Sequence, residues 1–402
     1  MPAKKVAAVV TEYRKWSHAD VILRNLLDGY PEGTKPELEL VSLFTDLVPK
    51  GDMSRDLAKK HGFTIYDTIA ECLTCGGKTL AVDAVLNIGE HGKYPENEKG
   101  QILYPRRRFL EEVCKVFEAS GRAVPVFNDK HLAATWDDAK WMYERSRKLL
   151  FPLLAGSSLP VTWRKSNLVL PRDSELLGAV QIGYGPFEGY GFHALESLQC
   201  MIERRAITTR AAGGFPDQGV KAVTAHMGKT MWDAFDKHAW AAPMLAAALK
   251  LVPAHAAGDM RAITVKTADA GIFEIEYRDG FRAFVVVPNG WIHEGDGGGF
   301  IFATQQKKQD KQEKPEACHF YLQQPDPFAH FAELTRAIES LVRSNHAPYP
   351  VERTLLTTGI LDAVMTSRHE KGKRIETPHL DIGYTPTEWG PARGEVPKIV
   401  KM

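Results

Sequence analysis

Short apolar runs alternate with amphipathic helical segments through the first third of the chain. Val6 to Val10 is the first run, and "LELVSLF" (38–44), "VDAVLNIG" (82–89) and "AVPVFND" (123–129) repeat it. Runs of this length read as strands, the first and third of them buried. Between them the spacing predicts helices. Ser17 opens the first, with Asp20 three residues on as a capping-box partner. "MSRDLAKKHG" is predicted to end at Gly62, and "TIYDTIAECL" to form a short helix. "PRRRFLEEVCKVFEASG" puts Phe109, Val113, Val116 and Phe117 on one face. Thr135 with Asp138 opens "WDDAKWMYERSRKLL". Strands separated by helices predict an α/β fold that opens with a Rossmann-like, doubly wound parallel sheet. Such sheets bind ligands beyond the carboxyl ends of their strands. That singles out the loops 11–17, 45–52, 89–105 and 128–135.

The texture changes after about residue 155. "SSLPVTWR", "ELLGAVQIGYG", "AITVKTA", "IFEIEYRDGFRAFVVVP", "GFIFATQQ" and "ACHFYLQQ" read as strands, with a helix at 191–204. Asp279–Gly280 is a type I′ hairpin signal. The second half is thus expected to be an α+β domain with a mainly antiparallel sheet. Residues 305–316 read as a charged hairpin tip, and 351–368 as a final helix. The expected domains are a Rossmann-like domain (1–152), an antiparallel-sheet substrate and oligomerisation domain (153–350), and a closing helix and tail (351–402) that packs back on the first domain.

A chain of 402 residues with 44% hydrophobic content can bury two ordinary cores. Its 51 basic residues nearly balance its 50 acidic ones, which points to neither nucleic acid nor an anionic membrane surface as a partner. The N-terminal apolar run is too short for a signal peptide, and no run approaches membrane-spanning length, so a cytoplasmic protein is expected. The five cysteines are an odd, scattered set without a disulfide framework. Cys72 and Cys75 form a lone CxxC, read as two small buried residues at a helix end.

Three stretches carry a family resemblance. "GRAVPVFNDKHLAATWDDAKWMYERSRKL", "GYGFHALESLQCM" and "YPVERTLLTTGILDAVMTSRHEKGKRIETP" resemble parts of the Gfo/Idh/MocA family of sugar and cyclitol oxidoreductases. The resemblance implies NAD or NADP as cofactor, a carbohydrate or cyclitol substrate, and self-association through the second sheet. It places Lys130 at the family's catalytic lysine and His193 at its catalytic histidine. Asp129 and His131 stand where the family has Glu and Pro, and Gly189 where it has an aspartate. It assigns Thr11, Glu12, Arg14, Lys15, Asp46 and Asn87 to the cofactor. The turn after the first strand departs most. It lacks the glycines that let a helix N-terminus approach a pyrophosphate, and carries Tyr13, Arg14, Lys15 and Trp16 instead. Either an unusual basic loop holds the cofactor, or the dinucleotide grip has been lost.

The loop after the third strand is long and holds Glu90, His91, Lys93, Tyr94, Tyr104 and Arg106. Chemistry on a sugar hydroxyl needs one group to move a proton and another to orient it. Lys130, His193, Asp129, His131, Glu90 and His91 are the candidates. The same residue types can ligate a divalent ion, but their spacing matches no metal signature, so no metal site is assigned. Tyr94, Trp163, Tyr184, Phe187 and Tyr190 read as core rather than sugar-stacking residues. Three functions fit: an NAD(P)-dependent oxidoreductase on a sugar, glycoside or cyclitol; a non-redox lyase or hydrolase on the same scaffold; or a non-catalytic sugar-binding protein.

Overall fold

A computed structural model describes residues 2–292, 298–308, 311–312, 314–324 and 326–396. It divides into two compact units. The first comprises residues 1–96, 102–158 and 327–355, the second 97–101, 159–326 and 356–402.

In the first unit the chain runs β1 (Lys4–Val10), α1 (His18–Leu27), β2 (Leu38–Thr45), α2 (Ser54–His61), β3 (Thr64–Tyr66), α3 (Ile69–Thr74), β4 (Ala84–Ile88), α4 (Arg106–Ser120), β5 (Val126–Asp129), α5 (Trp136–Lys148) and β6 (Leu153–Gly156). All pairings in its sheet are parallel, and the order is β3-β2-β1-β4-β5-β6. This is the doubly wound Rossmann order, with its reversal between β1 and β4. Val6 to Val10 and Ala84 to Ile88 are fully buried, as strands covered on both faces must be. "TIYDTIAECL" departs from the predicted helix: Thr64–Tyr66 pairs with β2 as an edge strand, and the helix starts only after Thr68, whose hydroxyl accepts from the Glu71 N–H. The available edge of β2 overrides local helix propensity there. Cys72 is buried, but Cys75 is exposed at the left-handed end of α3.

The second unit contains β7 (Trp163–Lys165), β8 (Leu176–Ile182), α6 (Gly189–Ile202), β9 (Val220–Met227), α7 (Thr230–Asp236), α8 (Ala241–Leu249), α9 (Met260–Thr264), β10 (Gly271–Tyr277), β11 (Arg282–Val287), β12 (Phe300–Lys308), β13 (Lys311–Gln312) and β14 (Glu316–Tyr321). Then come α10 (Ala329–Ser344), α11 (Val351–His369) and β15 (Ile375–Glu376). The second sheet has the order β15-β9-β10-β11-β8-β12-β14-β7, with β13 paired to β12, and only β11–β8 is parallel. Both sheets are therefore of the expected types.

Four local readings change. "AITVKTA" is not a strand: Asp259 accepts from the Ala262 N–H and starts α9. A side-chain cap at the right place outweighs a short alternation. The turn at Asp279–Gly280 is not type I′, because only Gly280 has positive φ (87°). Tyr277 and Phe281 bracket a three-residue loop, and the Asp279 carboxylate accepts from the Phe281 N–H. The helix α10 was not foreseen. It belongs to the first unit, where Thr335 Oγ1 accepts from Asn25 and Glu339 from Tyr30. The expected second domain thus loses residues 327–350. Nor does the closing segment group with the first unit beyond residue 355. β15 pairs with β9, and Val220 donates to Leu380, which ties the tail to the second sheet. Residues 309, 310 and 313 of the charged tip lie outside the described residues. Among the described residues no helix is long and apolar enough to cross a membrane.

Candidate active site in the first unit

The carboxyl ends of β4 and β5 lie side by side, with Asn87 opposite Asn128 and a 2.9 Å hydrogen bond from the Asn87 amide to Asn128 Oδ1. Just beyond these ends the chain delivers Glu90 and His91 on one side, and Asp129, Lys130 and His131 on the other. Arg106, the first residue of α4, returns to meet them.

Arg106 is fully buried. It donates to Glu90 Oε2, while its other terminal nitrogen sits 2.9 Å from His131 Nε2. Its guanidinium stacks over Tyr104 at 5.0 Å. Lys130 Nζ stands 3.3 Å from Glu90 Oε1, with 5% of its side chain exposed. Glu90 is therefore a buried carboxylate between two cations. Burial alone would raise its pKa, but Lys130 and Arg106 outweigh that and hold it well below the usual carboxylate range. Lys130 adopts φ 64° and His91 φ 70°, the left-handed region that disfavours residues with a Cβ by about 1–2 kcal/mol. Such strain concentrates where surrounding structure must aim a side chain. Here the Lys130 N–H donates to Gly156 at 3.1 Å, which fixes the turn.

His18 completes the cluster. It is the first residue of α1, and its Nδ1 lies 2.6 Å from Asp129 Oδ2. The ring meets His91 and Phe331 edge-on at 5.1 and 5.0 Å. His91 Nδ1 accepts the His18 backbone N–H at 3.3 Å. Burial, then the neighbouring His18, push the His91 imidazole down to about 3, so it is neutral at ordinary pH.

These shifts predict an acid sensitivity. His91 stays neutral in the fold but takes a proton near 6.5 once unfolded. The unfolded chain then binds more protons, so stability falls as pH drops from 6.5 toward 3, by at most about 1.4 kcal/mol per pH unit. Glu90 adds a loss in the same direction below the ordinary carboxylate range. Urea midpoints at pH 7 and pH 5 should differ in the native chain. His91→Asn, which tolerates positive φ, should shrink that difference.

The turn after β1 shows how the missing glycines are replaced. Trp16 adopts φ 64° in its place, 43% exposed, with Lys15 Nζ 4.5 Å over its ring. Several backbone donors of the turn and of the first turn of α1 are already engaged. The Trp16 N–H goes to Asp20 Oδ2 at 2.8 Å, and the Arg14 and Asp20 N–H groups go to Ser17 Oγ at 3.3 Å. Ser17 thus caps α1 as predicted, while Asp20 reaches back to Trp16. A pyrophosphate cradled by backbone N–H groups does not fit this turn.

The other cofactor candidates are also tied. Thr11 Oγ1 donates to the Glu90 carbonyl at 2.6 Å, and buried Glu12 accepts from Arg14 Nε at 2.6 Å. Asp46 accepts from Tyr94 Oη at 2.7 Å and from Arg108 at 2.6 Å. Asn87 also donates to the Arg106 carbonyl at 3.2 Å. A different set of donors faces outward. Arg14, Arg55 and Arg108 are 42%, 45% and 51% exposed at the side chain, each lying over an acid: Glu12, Asp52 and Asp46. Arg55 also donates to Thr45, at the end of β2. These guanidiniums fit phosphate oxygens through side-chain charge.

Of the catalytic candidates, Glu90, His91, Asp129, Lys130 and His131 come together in this cluster. His193 belongs to the second unit, half-buried on α6, with ring contacts to Tyr190 and Phe300 at 5.9 Å each. Sequence reasoning missed His18, which sat in view as the residue after the helix cap. Arg106 was noticed only as a member of the loop. Among the described residues no group of three His, Cys, Asp or Glu is arranged to hold a metal ion.

Comparison by sequence matches the chain to no family model and to no curated protein. Comparison by structure finds similar folds. A probable dehydrogenase from Thermotoga maritima superposes with a TM-score of 0.56 at 11% identity, over 94% of this chain and 99% of that one. A putative myo-inositol dehydrogenase from Sinorhizobium meliloti gives 0.55 at 11% identity, over 93% and 99%. GenD2 from gentamicin A biosynthesis, solved in complex with NAD, gives 0.54 at 14% identity, over 94% and 97%. The chain thus has the fold of the Gfo/Idh/MocA-type dehydrogenases, as the stretches around Lys130 and His193 led us to expect.

Proposed function

We propose that this chain is an oxidoreductase that acts on a hydroxyl of a sugar, glycoside or cyclitol, with NAD or NADP as its hydride carrier. The observation that carries this reading is the buried Lys130–Glu90–Arg106 cluster at the carboxyl ends of β4 and β5. Polar groups converge there in a sheet of Rossmann order, where such sheets take ligands. Lys130 is the donor that steadies negative charge developing on the substrate oxygen, and Glu90 and Arg106 hold it in place. Arg14, Lys15, Arg55 and Arg108 are the residues to hold the dinucleotide phosphates. When bound, the nicotinamide ring supplies a hydride acceptor. That GenD2 was solved with NAD supports the choice of cofactor.

A second reading is a lyase or hydrolase that uses the same proton-handling groups without a dinucleotide. It is favoured by one observation, the engagement of the turn's N–H groups by Ser17, Asp20 and His91. Calorimetric titration with NAD⁺, NADH, NADP⁺ and NADPH decides between them. Micromolar binding of one cofactor pair is the expected result. Binding of none of the four rejects the redox reading and leaves the second.

A further inference from the structure

We propose that His18, oriented by Asp129, is the base that removes the proton from the substrate hydroxyl. The proposal rests on the reading above for its substrate, and on four observations for its geometry. First, His18 Nδ1 lies 2.6 Å from Asp129 Oδ2, and Asp129 is buried to 1% exposure. A carboxylate only accepts, so the ring proton sits on Nδ1. Second, in the neutral ring Nε2 then carries the lone pair, on the side of the ring away from Asp129, and among the described residues Nδ1 is the ring nitrogen that has a hydrogen-bond partner. Third, the ring is fixed on two sides by His91 and Phe331, and its backbone is held by His91. Fourth, its side chain keeps 13% exposure, whereas Asp129 and Lys130 beside it are all but closed off. Within this cluster His18 is thus the group that combines an open lone pair with a fixed orientation.

The roles separate accordingly. The substrate O–H bond breaks and an Nε2–H bond forms, while the electron pair stays on the substrate oxygen. Asp129 balances the imidazolium, and the Lys130 ammonium faces the oxyanion. Lys130, tied to Glu90 just after β5, acts as a cation, and the proton acceptor comes from the start of α1. His91 is a positioning residue, since it acts through the backbone of His18.

The test uses the intact chain and requires no identified substrate. Long-range ¹⁵N–¹H spectra of ¹⁵N-histidine-labelled protein at neutral pH report which ring nitrogen carries the proton, with His18→Gln assigning the signal. We expect Nδ1–H with bare Nε2 in the native chain, and loss of that tautomer in Asp129→Asn. A proton on Nε2 of the neutral ring, or a pattern unchanged in Asp129→Asn, overturns the proposal. As a second measurement, diethyl pyrocarbonate acylates bare, accessible imidazole nitrogens, and peptide mapping locates the adduct. His18 should be modified several-fold faster in the native chain than in Asp129→Asn, and equal rates or no His18 adduct overturn the proposal. Dinucleotide titration stands apart from both. Its failure rejects the redox reading and leaves the dyad intact, whereas a wrong tautomer rejects the dyad and leaves cofactor binding intact.

Discussion

Arg106→Met is expected to destabilise the chain by about 3–5 kcal/mol, the usual loss when one partner of a buried ion pair is removed. The guanidinium is fully buried, and it serves three groups at once: Glu90, His131 and the Tyr104 ring. Methionine fills much of the volume but leaves Glu90 with Lys130 alone. A buried carboxylate that has lost half its compensation bears more of its desolvation penalty. The companion change Glu90→Gln in the same chain should recover part of the loss, because the stranded charge is then gone. Urea unfolding of the native chain, both single variants and the double variant gives the coupling. Additive effects would mean that the pair does not function as a unit. Gly89 reinforces the expectation. A Cβ there would meet Arg106 Cγ at 2.6 Å, so the backbone itself is shaped around this side chain.

Lys130→Met is expected to lower turnover by roughly 10²–10³, the effect of deleting one donor to a developing oxyanion. Its effect on stability should be smaller than that of Arg106→Met, because Arg106 also serves His131 and the Tyr104 ring. Glu90 keeps the Arg106 contact, and methionine retains the apolar part of the lysine stem. The left-handed backbone is a constraint that both residues bear equally. Lys130→Arg should not rescue turnover, since a planar fork cannot occupy the place of a point charge held 3.3 Å from Glu90. The measurement is kcat and KM on the first polyol that the native chain oxidises, beside a urea melt of each variant. A folded Lys130→Met protein with native turnover would remove Lys130 from the chemistry.

Much of the fold was legible because its signals are local. The run 6–10 has no polar face and is buried throughout, which in an α/β chain means the interior of a parallel sheet, whereas Glu39 of the run 38–44 stays exposed. Ser17 and Thr135 announced their helices because a hydroxyl that accepts an N–H three residues on is encoded in the spacing. The readings that failed were those where a distant partner decides. Thr64–Tyr66 became a strand because β2 offered an edge, and α10 joined the first unit because its apolar face is buried there. The pairing of the closing tail follows the same rule, since only β9 determines where residues 375–376 pair.

The candidate site divides along the same line. Glu90, His91, Asp129, Lys130 and His131 could be picked from the sequence because they follow two strand ends, and strand ends of a parallel sheet are where ligands sit. What the residues do to one another could not be read. Asp46, expected to touch a cofactor, spends its carboxylate on Tyr94 and Arg108, and Asn87 spends its amide nitrogen on Asn128 and the Arg106 carbonyl while its amide oxygen is buried without a hydrogen bond. His18, 111 positions from Asp129 in the chain, becomes its partner only because parallel pairing sets the start of α1 beside the end of β5. By itself, then, the sequence determined which segments are strands and helices, and where polar residues gather at the ends of the first sheet. Only the tertiary structure decided which charges pair, which N–H groups of the turn are engaged, and which imidazole nitrogen faces a carboxylate. Periodicity and caps act over three or four residues, whereas an ion pair is set by distance in space, which the order of residues does not record.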